Sequence, residues 1–225
     1  MRIDLGSRSA RSLSLHIAIV GLGNIGSRVA TNLTAGAVHI IVSDRNLEKA
    51  RELAEKLGPT AVAMTIDAAM KKADIVILSI MFDALKTFVV EHRADLAGKI
   101  VVDPSNPIAP DGKGFKKIIP ADQSAGTIIA QLLPEGAELV KAFGTLSARS
   151  LGAAANRKPE PAVLFYATDF PEAGKAVAKL ISASGFAPVS VGGIDQAVRI
   201  EAFGDLNESG KLGRLVSRRE AEALV

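Results

Sequence analysis

Residues 15–36 have the sequence LHIAIVGLGNIGSRVATNLTAG, and this stretch decides the fold. The apolar run at 16–20 is typical of a buried strand, and GLGNIG at 21–26 matches the pattern G-x-G-x-x-G. After it, Ile25, Val29, Ala30 and Leu33 recur at helical spacing. The stretch therefore predicts a strand, a tight glycine turn and the start of a helix.

The three glycines have separate physical tasks in such a unit. Gly21 lets the chain turn sharply, Gly23 removes a side chain where backbone must approach a pyrophosphate, and Gly26 lets the helix pack close to the strand. The first N–H groups of the helix would then face the phosphates. A glycine turn that only packs is the alternative. We predict dinucleotide binding, with these loop residues as cofactor contacts: Gly21, Leu22, Gly23, Asn24, Ile25 and Gly26.

An acid follows the loop at the distance expected of a dinucleotide fold. Asp44 stands 18 residues after Gly26, at the end of a second apolar run at 38–42. Such an acid accepts a hydrogen bond from the ribose of NAD, whereas Arg45 beside it can pair with the 2′-phosphate of NADP. Asp44 and Arg45 are therefore predicted cofactor contacts, and the residues alone leave NAD and NADP open.

The composition excludes several classes of protein. The chain has 225 residues, of which 48% are hydrophobic, and this suffices for a packed core. Without cysteine it has no disulfide, no thiolate nucleophile and no Cys-based metal site, and no apolar run reaches the roughly 20 residues of a membrane span. The few aromatic residues form no platform for bases. We expect a cytoplasmic protein without a membrane or nucleic-acid partner.

Residues 1–14 carry most of the net charge. The formal charge of the chain is +3, and this segment contributes three arginines and one aspartate, or +2. It is rich in Ser and Arg but lacks the apolar core of a secretory signal. We expect a disordered lead-in; a start codon chosen too early and a transit peptide are the alternatives.

The rest of the chain alternates between segments typical of strands and of helices. This rhythm predicts an α/β fold, a Rossmann-like doubly wound, mostly parallel sheet that the C-terminal strands extend. We expect residues 15–225 to form a single NAD(P)-binding domain whose small portion from position 139 onward binds the acceptor. Strands are predicted at 16–20, 38–42, 61–64, 74–80, 99–103, 139–143, 161–167 and 188–191, and later helices at 46–57, 67–72, 83–90, 123–133, 171–184 and 195–203.

Few residues suggest a catalytic group or a metal site. The three histidines are isolated, no G-x-S-x-G elbow occurs, and residues 204–211 lack the spacing and the Ser or Thr of a P-loop. We assign no catalytic residue and no metal ligand. Distinctive residues follow three predicted strands instead, at 79–82, 103–107 and 143–146. Because ligands bind beyond the carboxyl ends of parallel strands, these segments should meet beside the glycine loop.

Five motifs, in order, resemble the coenzyme F420-dependent NADP oxidoreductase family and its bacterial relatives. They are GLGNIG at 21–26, the strand at 74–80, DPSNP at 103–107, VKAFGTL at 140–146 and PAVLFYATD at 161–169. The resemblance implies hydride transfer between NADP(H) and a deazaflavin, or another acceptor in relatives that do not use coenzyme F420. It implies cofactor contacts at Ser79, Ile80 and Met81, and an acceptor pocket at Phe143, Gly144, Thr145 and Leu146. The expected convergence of the strand ends adds Asn106 to the cofactor contacts and Pro107 to the acceptor pocket.

Three positions depart from the family pattern. The family often has Asn or His where Gly144 stands, Pro where Ser147 stands, and Ser or Asn where Asp44 stands. These departures leave the exact substrates open. The resemblance favours NADP, with NAD as the alternative, and coenzyme F420, a flavin or a small molecule as the second substrate. A homodimer is a further open expectation, and residues 204–214 are predicted either to cover the site or to fray into solvent.

Two other kinds of protein would also use this glycine loop. A nucleotide-sensing regulatory domain would bind NAD(P) without turnover and would need no second pocket. A β-hydroxyacid dehydrogenase or imine reductase would share the motif but add a long all-helical domain. Only about 80 residues follow the strand that ends at Phe143, and they are partly typical of strands, which favours the oxidoreductase described above.

Overall fold

The computed structural model describes residues 15–225. The disordered lead-in predicted for residues 1–14 lies outside this described part. Within residues 15–225, no helix combines the length and the apolar character that crossing a membrane requires.

Six parallel strands form the central sheet, in the order β3-β2-β1-β4-β5-β8. At its centre, Ile17 of β1 lies level with Ile40 of β2 and Ile75 of β4. This is the strand order of a doubly wound dinucleotide-binding sheet, so the predicted Rossmann-like α/β fold class is confirmed. The strands are β1 (Ile17–Val20), β2 (Ile40–Ser43), β3 (Ala61–Ala63), β4 (Ile75–Leu78), β5 (Ile100–Asp103), β6 (Ile108–Pro110), β7 (Phe115–Lys117), β8 (Glu138–Lys141), β9 (Val163–Tyr166) and β10 (Ala187–Ser190).

Helices cover both faces of this sheet. They are α1 (Asn24–Ala35), α2 (Leu47–Leu57), α3 (Ile66–Lys72), α4 (Phe82–Glu91), α5 (Arg93–Leu96), α6 (Ala125–Leu132), α7 (Ala148–Ala153), α8 (Pro171–Ala183), α9 (Ala197–Ile200) and α10 (Arg218–Glu222). Successive side chains of a strand point to opposite faces, so Ile19 packs in a core with α1, α2 and α8, whereas Val20 packs with α3, α4 and α6. Burial on both faces explains why these strands are continuous apolar runs.

The last two strands lie outside the central sheet. β9 pairs with β10 in a separate two-stranded parallel sheet, which meets β8 only through an antiparallel bridge between Lys141 and Ala167. The prediction that the C-terminal strands extend the sheet is confirmed for β8 and is wrong for β9 and β10. The chain just after β9 runs antiparallel to the end of β8, so it does not continue the parallel pairing of the central sheet. β9 pairs with β10 instead.

Other differences from the predicted elements are local. The predicted strand at 139–143 stops early because Phe143 has a φ of 63°, which is incompatible with extended backbone. The predicted helix at 195–203 is a short 3-10 turn followed by the four residues of α9. The hairpin of β6 and β7 was not predicted, since strands of three residues carry too little periodicity.

A buried cluster of three charges joins β5, β8 and the end of α9. The ammonium Nζ of Lys141 lies 2.7 Å from Asp103 Oδ2 and 3.4 Å from Glu201 Oε1, and all three side chains are almost fully buried. Lys141 also donates to the Ser105 carbonyl oxygen. Glu201 accepts hydrogen bonds of 2.9 Å from the first two N–H groups of α6. Each buried charge thus has several partners, as burial in a low dielectric requires.

Replacing Lys141 by Met should lower the free energy of unfolding by about 3–5 kcal/mol, because Asp103 and Glu201 would remain as buried carboxylates without a cation. Urea unfolding followed by circular dichroism measures the change. The matched control is Lys175→Met, which removes an exposed pair with Glu172 on α8 and should change the stability very little. Similar losses for both variants would contradict the importance of the buried cluster.

Candidate active site

The glycine loop connects β1 to α1 and packs against the end of β4. Gly21 has a φ of 89°, and a Cβ there would collide with the Ser79 carbonyl oxygen. A Cβ at Gly26 would collide with the Gly21 carbonyl oxygen and would lie 3.0 Å from Ser79 Cβ. A Cβ at Gly23, by contrast, would have no heavy atom within 4 Å. Packing therefore requires glycine at 21 and 26, whereas Gly23 borders open space.

The start of α1 is open to an anion. Its N-cap is Gly23, which has no side chain to accept the first N–H groups, and no acid occupies the first turn. The positive end of the helix macrodipole therefore faces the open space beside Gly23. This is the arrangement in which helix N-termini bind phosphate groups.

Asp44 follows β2 and reaches back to the glycine loop. Its Oδ2 accepts a hydrogen bond of 2.9 Å from the Leu22 N–H and lies 3.4 Å from Lys49 Nζ, while its Oδ1 accepts one of 3.1 Å from the Asn46 N–H. Burial raises the pKa of Asp44, but the two hydrogen bonds and the Lys49 charge outweigh burial and hold the pKa below its usual value. Asp44 is therefore ionised at neutral pH, next to the exposed Arg45.

A cleft of about 640 Å³ opens beside the glycine loop. The ends of β4, β5 and β8 converge on it, as expected of parallel strands. The cleft brings together the following predicted site residues: Gly23, Asn24, Ile25, Ser79, Ile80, Met81, Asn106, Gly144 and Leu146. Seven predicted cofactor contacts therefore share one space with two of the five predicted acceptor residues.

Three predicted acceptor residues are buried and do not line this cleft. The ring of Phe143 is fully buried in the core that contains α1 and α8, because its positive φ redirects the chain at the end of β8. Pro107 is buried, and Thr145 is 2% exposed with a hydroxyl that has no hydrogen-bond partner among the described residues. The remaining predicted contacts form the base of the loop or lie at the end of β2: Gly21, Leu22, Gly26, Asp44 and Arg45.

Asn106 fixes the far wall of the cleft. Its Nδ2 donates to the Gly144 carbonyl oxygen at 3.0 Å, and its Oδ1 accepts from the Ala202 N–H at 2.6 Å. Asn207 Nδ2 donates to the same Gly144 oxygen at 3.3 Å. A Cβ at Gly144 would lie 2.6 Å from the Pro104 carbonyl oxygen, so packing requires glycine here. Gly144, one of the positions that depart from the family pattern, is thus part of the hydrogen-bond network of this wall.

Sequence reasoning missed one segment that borders the cleft and left a second one open. The hairpin of β6 and β7 was not predicted, and residues 204–214 were predicted only as one of two alternatives. Glu208 holds the second segment in place by accepting hydrogen bonds from the Ser147 N–H, at 2.7 Å, and from Ser150 Oγ. No local pattern marks this return of the chain. The residues so added are Ile108, Phe115, Ala202, Asn207, Glu208 and Ser209.

Part of the chain matches a known protein family. Residues 16–107 match the model of the family described as NADP oxidoreductase coenzyme F420-dependent. This part of the chain is similar to that family. The resemblance inferred from the five motifs is therefore confirmed.

Two curated relatives extend the likeness. Metalloreductase STEAP3 of Rattus norvegicus is 29% identical over 190 residues, which are 83% of this chain and 36% of that protein. The F420-dependent NADP reductase of Methanocaldococcus jannaschii is 30% identical over 141 residues, which are 57% of this chain and 62% of that protein. The chain thus spans less than two thirds of the length of either relative.

A solved structure confirms the architecture along nearly the whole chain. The hypothetical protein SMa0349 from Sinorhizobium meliloti superposes with a TM-score of 0.79 at 31% identity, covering 91% of this chain and 96% of that one. The likeness therefore includes the C-terminal part that lies beyond the family match.

The charges around Asp44 predict how the chain discriminates between NADP and NAD. Arg45→Ala and Lys49→Ala should each lower the ratio of NADP to NAD affinity by about three- to tenfold, because each removes a cation that can pair with a 2′-phosphate. Asp44→Ser should raise the ratio, because it removes a carboxylate that repels this phosphate. Fluorescence titrations with NADPH and NADH measure both affinities. Arg51→Ala, which removes an exposed partner of Glu48, is the control. An unchanged ratio in Arg45→Ala would show that Arg45 is only a solvated charge.

Proposed function

We propose that this chain is an NADP-dependent oxidoreductase that passes a hydride between the nicotinamide and a planar ring acceptor, coenzyme F420 or a flavin. The observation that carries the proposal is the continuity between glycine loop and cleft. Gly23 and Asn24 line the same space as Gly144 and Leu146. A dinucleotide whose phosphates lie on the loop would extend its nicotinamide into this space.

The residues present fit a bound dinucleotide. Gly23 leaves the phosphate space open, as its missing Cβ would meet no atom within 4 Å. Ser105 lines the cleft, and its buried Oγ has no hydrogen-bond partner among the described residues. A buried hydroxyl rarely stays unpaired in a native protein, and this one suits the carboxamide of a nicotinamide. When bound, the dinucleotide supplies the hydride, and the chain binds and orients it.

Large apolar side chains border the outer part of the cleft. Met81 is 61% exposed and Phe115 is 57% exposed, and Ile108 from the same hairpin as Phe115 also lines the cleft. Exposed apolar groups of this size around a cleft mark a surface that a ligand covers. An aromatic ring and a thioether together suit a flat conjugated ring. This supports a deazaflavin or a flavin more than a small polar acceptor.

The chemistry of the cleft is positioning. Glu208 is the only charged side chain among the described residues that line it, and both of its carboxylate oxygens accept hydrogen bonds from the protein. Hydride transfer between two rings requires mainly that the donor and acceptor carbons be held in contact. The hydrogen bonds of Asn106 to Gly144 and Ala202 hold the wall that would do this.

Oxidation of NADPH, followed by its absorbance with flavin mononucleotide (FMN) or coenzyme F420 as acceptor, tests the proposal. We expect saturable turnover. Phe115→Ala should raise the KM of the acceptor several-fold and leave the NADPH affinity unchanged, because Phe115 belongs to the β6–β7 hairpin and not to the phosphate loop. Tight NADPH binding without turnover on any acceptor would contradict the proposal and favour the nucleotide-sensing domain instead.

Gly23→Val should abolish NADPH binding while the fold stays intact. The valine would fill the space that the pyrophosphate needs, but its Cβ meets no protein atom within 4 Å. The matched control is Gly114→Val in the β6–β7 hairpin, where a Cβ likewise meets nothing within 4 Å. Calorimetric titration measures the affinity, and thermal unfolding checks the fold. Normal affinity in a folded Gly23→Val protein would exclude this loop as the phosphate site.

A further inference from the structure

A second groove, of about 580 Å³, lies between α1 and α7 next to the cleft. Asn24 and Ala148 line both spaces, so the groove continues the cleft. No acidic side chain of the described residues lines it. Its lining consists of Asn24, Ser27 and Arg28 from α1, and Ala148, Arg149, Gly152 and Ala153 from α7.

Two arginines border this groove without partners. Arg28 and Arg149 are exposed, and within residues 15–225 neither guanidinium makes a hydrogen bond or an ion pair. Arg28 lies along α7 at Gly152, where a Cβ would be 3.4 Å from its Cδ and Nε. Two guanidinium groups that line one groove give it a positive charge, which a bound anion would neutralise. Guanidinium groups bind phosphate through paired hydrogen bonds.

The groove lies away from the adenosine end of a dinucleotide. Asp44 and Arg45 follow β2, whereas α7 follows β8, and these two strands lie on opposite sides of β1 in the sheet. α7 packs directly against α1. A phosphate in the groove would therefore lie across α1 from the ribose site and beside the cleft that receives the acceptor.

We propose that Arg28 and Arg149 bind a phosphate group of the acceptor. The proposal rests on the proposed function and narrows it to ring acceptors that carry a phosphate, with the ring in the cleft and the phosphate in the groove. The pyrophosphate of the dinucleotide has the same chemistry, so a test must separate the two sources.

FMN and riboflavin provide this test, because they share one ring system and differ by a single phosphate. Binding of each to the NADP-loaded protein is measured by flavin fluorescence, and kcat/KM is measured with NADPH. The protein should prefer FMN by about tenfold or more. Arg149→Met and Arg28→Met, which keep the apolar stem, should each lower FMN affinity toward the riboflavin value. Riboflavin and NADPH affinities should stay unchanged.

The matched control is Arg219→Met, which changes an exposed arginine of α10 and should alter none of these values. Equal affinity for FMN and riboflavin, or no FMN binding at all, would overturn the phosphate site. An equal loss of NADPH and FMN affinity in Arg149→Met would assign the arginines to the dinucleotide and overturn the proposal as well. If FMN binds with the expected arginine dependence but is not reduced, the phosphate site stands and the proposed function fails.

Discussion

The close approach of the glycine loop to the end of β4 is the constraint on which the rest of the site depends. The Gly21 N–H donates to the Ser43 carbonyl oxygen at 2.9 Å, and the Ser79 N–H donates to the Val20 carbonyl oxygen at 2.8 Å. The chain thus leaves the sheet with both neighbouring strands hydrogen-bonded to it. Because a Cβ at Gly21 would strike the Ser79 backbone, only glycine allows α1 to begin here. The residues that follow β2 and the cleft at the end of β4 thereby take fixed places on either side of the loop.

The far wall of the cleft depends on contacts between distant parts of the chain. Asn106 and Ala202 are separated by 96 positions, yet they share a hydrogen bond, and Glu208 reaches the start of α7 across 61 positions. The buried ammonium group of Lys141 also links β5 to the end of α9, because it pairs with both Asp103 and Glu201. The segment after α9 is therefore held against the cleft by paired polar groups. In the proposed function, a wall fixed in this way would hold the acceptor ring in the position that hydride transfer requires.

The structural features that could be predicted from the sequence are those that local residue patterns encode. The glycine loop and α1 follow from glycine spacing and helical periodicity, and the meeting of the strand ends follows from parallel topology. The burial of Phe143 was not predictable, because it depends on the backbone conformation of one residue at a strand end. The same holds for Ala202 and Glu208, whose positions depend on tertiary hydrogen bonds that leave no periodic trace. The groove between α1 and α7 required the packing of two helices that are far apart in sequence.

The buried cluster of Lys141, Asp103 and Glu201 also limits how this sequence can evolve. A change at one of the three leaves a buried charge without its partner, whereas joint replacement by apolar residues of similar volume can be tolerated. The three positions are therefore expected to covary among relatives, either all ionisable or all apolar. Lineages that lost one member would have passed through an unstable intermediate, so the cluster would be inherited as a block. Its presence in a related sequence would then mark proteins whose chain returns to the cleft after α9 in the same way.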